Sequence, residues 1–322
     1  MDQIIRHLKN SRNVLVVSHT NPDGDAIGSL IAMGLALEAL SKKTTLYNES
    51  SIPAVYRFLP SVERVVRRLS NLNYDTAVIL DCGDLQRAGE GVAAVKQTPV
   101  VINIDHHITN TLFGNLRLID TSACATAEIV YRLIKQLSVP IDENIATSIY
   151  LGILTDTGSF RFSNTNKVAF AICAEMVALG VDPYRVAQHV YGTYSLGRIK
   201  LLNLALDSIE ISSNGKLSVM TLTQNMFNET RTQPEDADGL INYAKRIEDV
   251  KLAALIQEHQ NGGGESKSFS KYHVSLRSDG TVNVAEIASS FGGGGHSSAA
   301  GFNIESTLSD LKSKILNLAE KL

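Results

Sequence analysis

The amino-acid sequence predicts an α/β fold: a mostly parallel sheet with helices on both faces, followed by a smaller α/β unit. Three observations carry this expectation. Short apolar runs alternate with helical patterns from residue 1 to about 190. The runs at 14–17, 76–80 and 99–104 are continuous rather than alternating, as strands buried on both faces are. A chain of 322 residues also exceeds one typical domain, so two are expected.

In chain order, residues 4–9 read as a helix, 14–17 as the first buried strand and 26–40 as a helix with an apolar, small-residue face that includes Ile27, Leu30, Ile31 and Gly34. A short strand is expected at 44–47 and a helix at 62–69. The run 76–80 ends at Asp81, and 99–104 ends at Asp105-His106-His107. Helices are expected over 124–137, 142–155, 166–179 and 183–190. A connecting helix at 195–208 leads to the second unit. There Asn214-Gly215, between residues 209–211 and 217–222, signals a hairpin whose tight turn needs positive φ angles. A helix over 235–246, strands over 250–258 and 272–277, and helices over 284–291 and 307–322 complete the reading. The stretch 261–270, with Gly262 to Gly264, has the composition of a loop.

Composition excludes several classes. With 44% hydrophobic and 20% charged residues the chain is an ordinary globular protein. No apolar run approaches the roughly 18 residues of a bilayer span, so no membrane association is expected. The N-terminus reads as an amphipathic helix rather than a signal peptide. A net charge of −3 argues against wrapping long duplex nucleic acid, although a few placed cations can still receive a small anionic substrate. Three cysteines with no zinc-type spacing point to a reducing, cytoplasmic setting.

The chemistry gathers at the carboxyl ends of the buried strands, where ligands of parallel sheets bind. His19, Asp23 and Asp25 follow the first strand within seven positions. Asp81 ends another, His106 a third, and Asp156 follows an apolar helical stretch. An imidazole and carboxylates at the end of a buried strand are costly unless a cation lies between them. His19, Asp23, Asp25, Asp81, His106 and Asp156 are therefore the candidate metal ligands. Nitrogen and oxygen donors without thiolate suit manganese or magnesium. Six donors exceed the needs of one ion with an open position but suit two ions sharing carboxylates, an arrangement that serves phosphate-ester hydrolysis. Asp105 is expected to orient a ligating histidine, and His107 to contact substrate phosphate or protonate the leaving oxygen, the alternative being a further metal ligand or a packing residue. Asp81, Asp105, His107 and Asp156 are thus the catalytic candidates. The run Gly292 to Gly295 before His296 is expected to form a loop. The bare amides of Gly293, Gly294 and Gly295 would cradle a phosphate there, with His296 and Arg277 adding charge.

These residues resemble the DHH phosphoesterase family, named for the triplet that stands here as Asp105-His106-His107. The resemblance covers almost the whole chain. It rests on His-Thr-Asn-Pro-Asp-Gly-Asp-Ala-Ile-Gly-Ser at 19–29, Asp81, Thr-Asp-Thr-Gly at 155–158, and Gly-Gly-Gly-Gly-His with Ala-Ala-Gly at 292–301. It implies a DHH catalytic, metal-binding domain over 1–190, a linker helix over 191–210 and a DHH-associated substrate-binding domain over 211–322. Size and domain content resemble the oligoribonuclease and nucleoside-bisphosphate phosphatase branch. That branch implies hydrolysis of RNAs of two to five nucleotides and of 3′-phosphoadenosine 5′-phosphate. It also implies two Mn²⁺, replaceable by Mg²⁺ or Co²⁺, and is compatible with a homodimer. By the same resemblance one ion takes His19, Asp23, Asp81 and Asp156, and the other Asp25, Asp81, His106 and Asp156, while His107, Arg277 and His296 match substrate contacts. The chain departs from the pattern in the longer loop at 261–270 and in Lys245, where an arginine is common. A linear or cyclic dinucleotide phosphodiesterase, an inorganic pyrophosphatase and a non-catalytic RNA-binding module are the alternatives.

Overall fold

The structure, a computed structural model, describes residues 1–69, 73–192, 194–259 and 270–322. It divides into two compact units, Met1–Thr193 and Tyr194–Leu322. Among the described residues no helix is long and apolar enough to cross a membrane.

In the first unit the chain runs α1 (Asp2–Asn10), β1 (Asn13–Ser18), α2 (Gly24–Ala39), β2 (Lys43–Tyr47), β3 (Val65–Val66), β4 (Thr76–Leu80), α3 (Gly91–Gln97), β5 (Val100–Asp105), β6 (Leu116–Ile119), α4 (Thr126–Gln136), α5 (Glu143–Asp156), α6 (Lys167–Ala178) and α7 (Pro183–Tyr191). The strands form one sheet in the order β3-β2-β1-β4-β5-β6, parallel at every pairing. The strand order reverses between β1 and β4, and a crevice opens at such a switch point beyond the carboxyl ends. Register aligns those ends, with Ser18 opposite Leu80 and Leu80 opposite Ile104. The residues that follow are therefore delivered side by side.

Side chains alternate across β1. Val14 and Val16 pack against α2, α4 and α5, whereas Leu15 and Val17 face a smaller cluster with Ala88 and Val95. Helix α2 is buried along nearly its whole length and crosses α5 at contact distance. A Cβ built on Gly28 would stand 2.3 Å from the Ser148 carbonyl oxygen and 3.1 Å from the Gly152 nitrogen. Only glycine permits that approach, and it brings the N-terminal turn of α2 to the C-terminal end of α5.

The second unit contains α8 (Leu196–Asp207), β7 (Glu210–Ile211), β8 (Leu217–Leu222), α9 (Gln224–Thr230), α10 (Ile241–Lys245), β9 (Leu252–Glu258), β10 (Ser270–Ser278), α11 (Val284–Ser290), β11 (Gly294–His296), β12 (Ala299–Ser306) and α12 (Leu308–Leu316). Its sheet is mixed, ordered β11-β12-β10-β9-β8-β7. Tyr272, Val274 and Leu276 of β10 face the core shared with α11 and α12. Leu201 and Ala205 of α8 pack with Met220, Leu222 and Leu255 on the opposite face, so α8 is part of this unit's core.

Several elements differ from expectation. Residues 62–69 do not form a helix. Val62–Arg64 is a single 3₁₀ turn, and the β-branched pair Val65–Val66 joins the sheet edge beside β2. Residues 235–246 break into a 3₁₀ turn at Pro234–Ala237 and the short α10, separated by Gly239 at φ +78°. The hairpin before β8 forms, but Gly215 alone takes positive φ (+75°). Asn214 instead accepts from Lys216 N and donates to the Ala319 carbonyl. The loop expected at 261–270 lies outside the described residues except for Ser270.

Candidate metal centre

Each element delivers its donor for a local reason. His19 follows β1, and its Nδ1 is 2.8 Å from the Thr20 carbonyl oxygen, which leaves Nε2 directed into the crevice. Asn48, just beyond β2, steadies this turn by donating to Ser18 Oγ and the His19 carbonyl, both at 2.8 Å. Asp23 is the N-cap of α2, its Oδ1 accepting from Ala26 N at 3.0 Å. Asp23 thus caps the helix, and the same oxygen lies 3.9 Å from His19 Nε2. Asp25 occupies the first turn of α2 and is fully buried.

Asp81 follows β4 at φ +58°, a backbone region that costs a non-glycine residue about 1–2 kcal/mol and that aspartate tolerates better than most. Its two oxygens face different imidazoles. Oδ2 is 3.5 Å from His19 Nε2, and Oδ1 is 3.6 Å from His106 Nε2. His106 Nε2 also lies 3.9 Å from Asp25 Oδ2 and 3.7 Å from Asp156 Oδ2. These separations are too long for hydrogen bonds. They are the spacing of donors that share an ion, since groups about 2.1–2.4 Å from one cation stand roughly 3–4 Å apart. His19, Asp23 and Asp81 form one such group, and Asp25, His106 and Asp156 another. All six predicted ligands fall in these two groups, with Asp81 touching both. A donor set of imidazole nitrogen and carboxylate oxygen fits hard divalent ions.

Asp105 does not orient the histidine expected of it. It accepts from His107, with Nδ1 to Oδ1 at 2.7 Å, while His106 Nδ1 is 3.3 Å from the Ala123 carbonyl. Asn110 holds the second oxygen of Asp105 at 2.6 Å. The reason is register. Asp105 is still in the β5 ladder, and the residue two positions on lies on the same side as its carboxylate.

Electrostatics separate the carboxylates. Burial, reinforced by Asp81 and Asp156, drives the Asp25 pKa well above the ordinary range despite the pull of His106. Burial pushes Asp81 upward too, but its contact with His19 and the charges of His107, His19 and His106 outweigh it and leave its pKa well below ordinary. Burial would lower His106, yet Asp81, Asp25 and Asp105 raise it. Asp105, although buried, is lowered by His107. Burial raises the Cys82 and Cys124 thiols strongly and pushes Cys173 to about 12, so all three buried cysteines are inert thiols.

Three supporting residues escaped the sequence reading. Thr126, the first residue of α4, donates its amide to Asp25 Oδ2 at 2.6 Å and its hydroxyl to Asp81 Oδ1 at 2.9 Å. Ala127 N adds a bond to Asp25 Oδ1 at 2.9 Å, so the N-terminus of α4 faces a buried carboxylate. Asn164 donates to Asp156 Oδ2 at 3.1 Å and to the Cys124 carbonyl at 2.9 Å. Asn110 is the third. Their only sequence signal is a small polar residue at a helix start or just after a ligand triplet, which is shared by ordinary caps and turns.

In the second unit the glycine run is only partly a loop: Gly292 and Gly293 precede the strand, which begins at Gly294. Gly294, Gly295 and His296 pair with Gly301, Ala300 and Ala299. A Cβ on Gly293 would stand 2.1 Å from the Gly301 carbonyl, and one on Gly295 2.5 Å from that of Ala299. The glycines therefore serve close strand approach. His296 and Arg277 both lie opposite Ala299, on the two sides of β12, which places them on one face of the sheet about 10 Å apart. Ser275 and His273 continue that face, opposite Gly301 and Asn303.

A doubly wound sheet with carboxylates and imidazoles clustered at its switch point is a frame that suits a metal-assisted hydrolase, and the chain belongs to the DHH phosphoesterase family. The DHH family N-terminal domain matches residues 13–153 and the DHHA1 domain residues 214–322. The chain is 33% identical to the bifunctional oligoribonuclease and PAP phosphatase NrnA of Thermus thermophilus, over 91% of its own length and 84% of that protein. It is 25% identical to NrnA of Bacillus subtilis, over 94% of its length and 93% of that protein. The crystal structure of an exopolyphosphatase-related protein from Bacteroides fragilis shares the fold at a TM-score of 0.87 and 25% identity, covering 98% of this chain and 95% of that one.

Proposed function

We propose that this phosphoesterase hydrolyses short oligoribonucleotides of two to five nucleotides to mononucleotides and dephosphorylates 3′-phosphoadenosine 5′-phosphate to AMP. One observation carries the reading: the two oxygens of Asp81 face two imidazoles that belong to two separate donor groups. The similarity to NrnA proteins along nearly the whole chain supports the substrate class.

The centre is proposed to hold two Mn²⁺, with Mg²⁺ or Co²⁺ able to replace them. His19, Asp23, Asp81 and Asp156 would hold one, and Asp25, Asp81, His106 and Asp156 the other. When bound, such a pair lowers the pKa of water and neutralises charge on the attacked phosphoryl group. The chain's own residues do the rest. Thr126 and Asn164 fix Asp81 and Asp156 by hydrogen bonds. Asp105 holds the His107 ring through Nδ1, and His107 gives a proton to the leaving ribose oxygen as its bond to phosphorus breaks. In the second unit Arg277 and His296 receive a substrate phosphate, a role for which guanidinium is well suited. The reaction is placed in a reducing cytoplasm, consistent with three free, buried thiols.

A substrate panel with Mn²⁺ tests this: 5′-phosphorylated dinucleotide, longer RNA, adenosine bisphosphate, cyclic dinucleotide and pyrophosphate. The dinucleotide and the bisphosphate should be hydrolysed fastest, and Asp81→Ala or Asp156→Ala should abolish both activities while the fold persists. Preference for pyrophosphate or cyclic dinucleotide, or full activity in either variant, would overturn the assignment.

A further inference from the structure

On the sheet face that carries Arg277, His273 stands two positions beyond Ser275 along β10, with Asn303 opposite it on β12. The imidazole is half-buried and fixed at one end. Its Nδ1 is 2.8 Å from Asn303 Oδ1, a carbonyl oxygen that only accepts, so Nδ1 carries the hydrogen. From there the ring leans along the sheet toward Arg277. A Cβ on Gly301, which lies opposite Ser275, would stand 3.2 Å from His273 Nε2 and 3.3 Å from Cε1. Glycine leaves that space to the imidazole. Burial, with His259 and the charge of Arg277, holds the His273 pKa below the ordinary imidazole value, although the bond to Asn303 pulls the other way. The ring is therefore neutral near pH 7, and its Nε2 is an acceptor.

We propose that His273 Nε2 accepts a hydrogen bond from the 2′-hydroxyl of the ribose joined to the phosphate at Arg277 and His296, with Asn303 as the residue that positions the ring. The assignment deepens the RNA reading above and rests on it. A neutral acceptor repels phosphate oxygens, so His273 is not a third cation of the phosphate anchor. It suits an uncharged donor. Its place agrees. Gly301, under the ring, and Ala299, between Arg277 and His296, are two residues apart on β12, about 7 Å. That is the reach from a phosphate to the sugar it esterifies. Among the described residues, this face of β10 and β12 carries no Phe, Tyr or Trp. Sheets that read bases do so by stacking them on aromatic side chains, so the row on β10 is not built to select a base. A ribose hydroxyl is present in RNA of any sequence, and it is the group by which a protein tells RNA from DNA.

Steady-state hydrolysis with Mn²⁺ tests this, on a 5′-phosphorylated diribonucleotide and its two singly 2′-deoxy counterparts. The wild type should favour the all-ribose substrate over one of the two counterparts by about 3–10-fold in kcat/KM, the worth of one neutral hydrogen bond. His273→Leu should bring that ratio near one, and His273→Gln, whose amide reaches the place of Nε2, should restore it. Asn303 is exposed, so Asn303→Ala tests the same subsite without disturbing the core and should shrink the ratio by releasing the ring. Arg277→Ala should lower kcat/KM for all three substrates and keep the ratio. An enzyme that hydrolyses all three with no ribose preference, or whose preference survives both His273→Leu and Asn303→Ala, overturns the sugar subsite and leaves the RNA reading standing. A protein that hydrolyses none of the three overturns the RNA reading and the subsite with it.

Discussion

Replacing Gly28 by alanine asks whether the α2–α5 crossing builds the donor set. In an ordinary helix this change stabilises by about 1 kcal/mol. Here the new Cβ would lie 2.3 Å from the Ser148 carbonyl oxygen, whereas ordinary contact begins near 3.4 Å. The obstruction is backbone on both sides, so α2 and α5 must part by about 1 Å. Overpacking of that kind costs roughly 1–3 kcal/mol, which cancels or exceeds the helix gain and leaves a net loss of about 0–2 kcal/mol. The larger effect falls on the site. Asp25 lies three residues before Gly28, Asp156 four residues after Gly152, and their carboxylates share His106. A displacement near 1 Å can cost about a hundredfold. Urea unfolding of the metal-free protein and Mn²⁺ titration by calorimetry measure the two effects separately. Gly34→Ala is the control, because its new Cβ meets only the movable end of Leu46. A Gly28→Ala protein more stable than wild type, with unchanged Mn²⁺ affinity, would refute the role given to this crossing.

Thr126→Val removes the hydroxyl bond to Asp81 without opening a cavity. Mn²⁺ affinity should fall about 10–100-fold, Thr126→Ser should restore it, and equal affinities in all three proteins would show the hydroxyl to be idle. The raised His106 pKa gives a signed pH dependence. Its contribution to the metal-free fold is fully present below the ordinary imidazole value of about 6.5 and is lost as pH rises through the raised value. Denaturant midpoints of the metal-free protein should therefore drift down over that window while Mn²⁺ affinity climbs, because the ion must displace the proton; a rising midpoint contradicts this. Arg277→Ala and His296→Ala should raise KM for phosphate-bearing substrates more than for a small ester without a terminal phosphate, and steady-state kinetics showing equal changes would remove the phosphate-anchor role.

Legibility from sequence followed burial. Strands β1, β4 and β5 are continuous apolar runs because they lie inside a sheet covered on both faces, and the acids and imidazoles at their carboxyl ends stand within a few ångströms of one another. The edges were not legible. Strand β3 is two residues long, and β6 alternates weakly as Leu116-Arg117-Leu118-Ile119. Strand β12 opens on Ala299-Ala300-Gly301, which carries no β propensity of its own and is held by β10 and β11 on either side. The glycine run looked like a loop for the same reason: glycine records a need for close approach but not the kind of backbone approaching. Partners within the site were the least visible. The Asp105–His107 pair depends on alternation at a strand end, and Thr126 reaches Asp25 and Asp81 across 101 and 45 residues of chain.

The divergence of Asp25 and Asp81 shows why a cation suits this site. Both carboxylates are buried and both are hydrogen-bonded. Asp25 has three donors, Thr126 N, Ala127 N and Ser29 Oγ, and its pKa is nevertheless driven up. Asp81 has one hydroxyl but three imidazoles around it, and its pKa is driven down. Backbone amides at a helix start supply partial charge, which does not offset full desolvation beside two further carboxylates. Where the protein provides imidazoles, the acid is balanced already. Around Asp25, with Asp81 and Asp156 beside it, the uncompensated negative charge is greatest. A divalent ion held by Asp25, His106 and Asp156 would relieve repulsion there, whereas one at His19, Asp23 and Asp81 would enter a group whose central acid the imidazoles already favour as the anion. Burial and its two acidic neighbours oppose the charged form of Asp25 that an ion needs, so loading of the Asp25 group should grow more favourable as pH rises, as Mn²⁺ titration at a series of pH values would show.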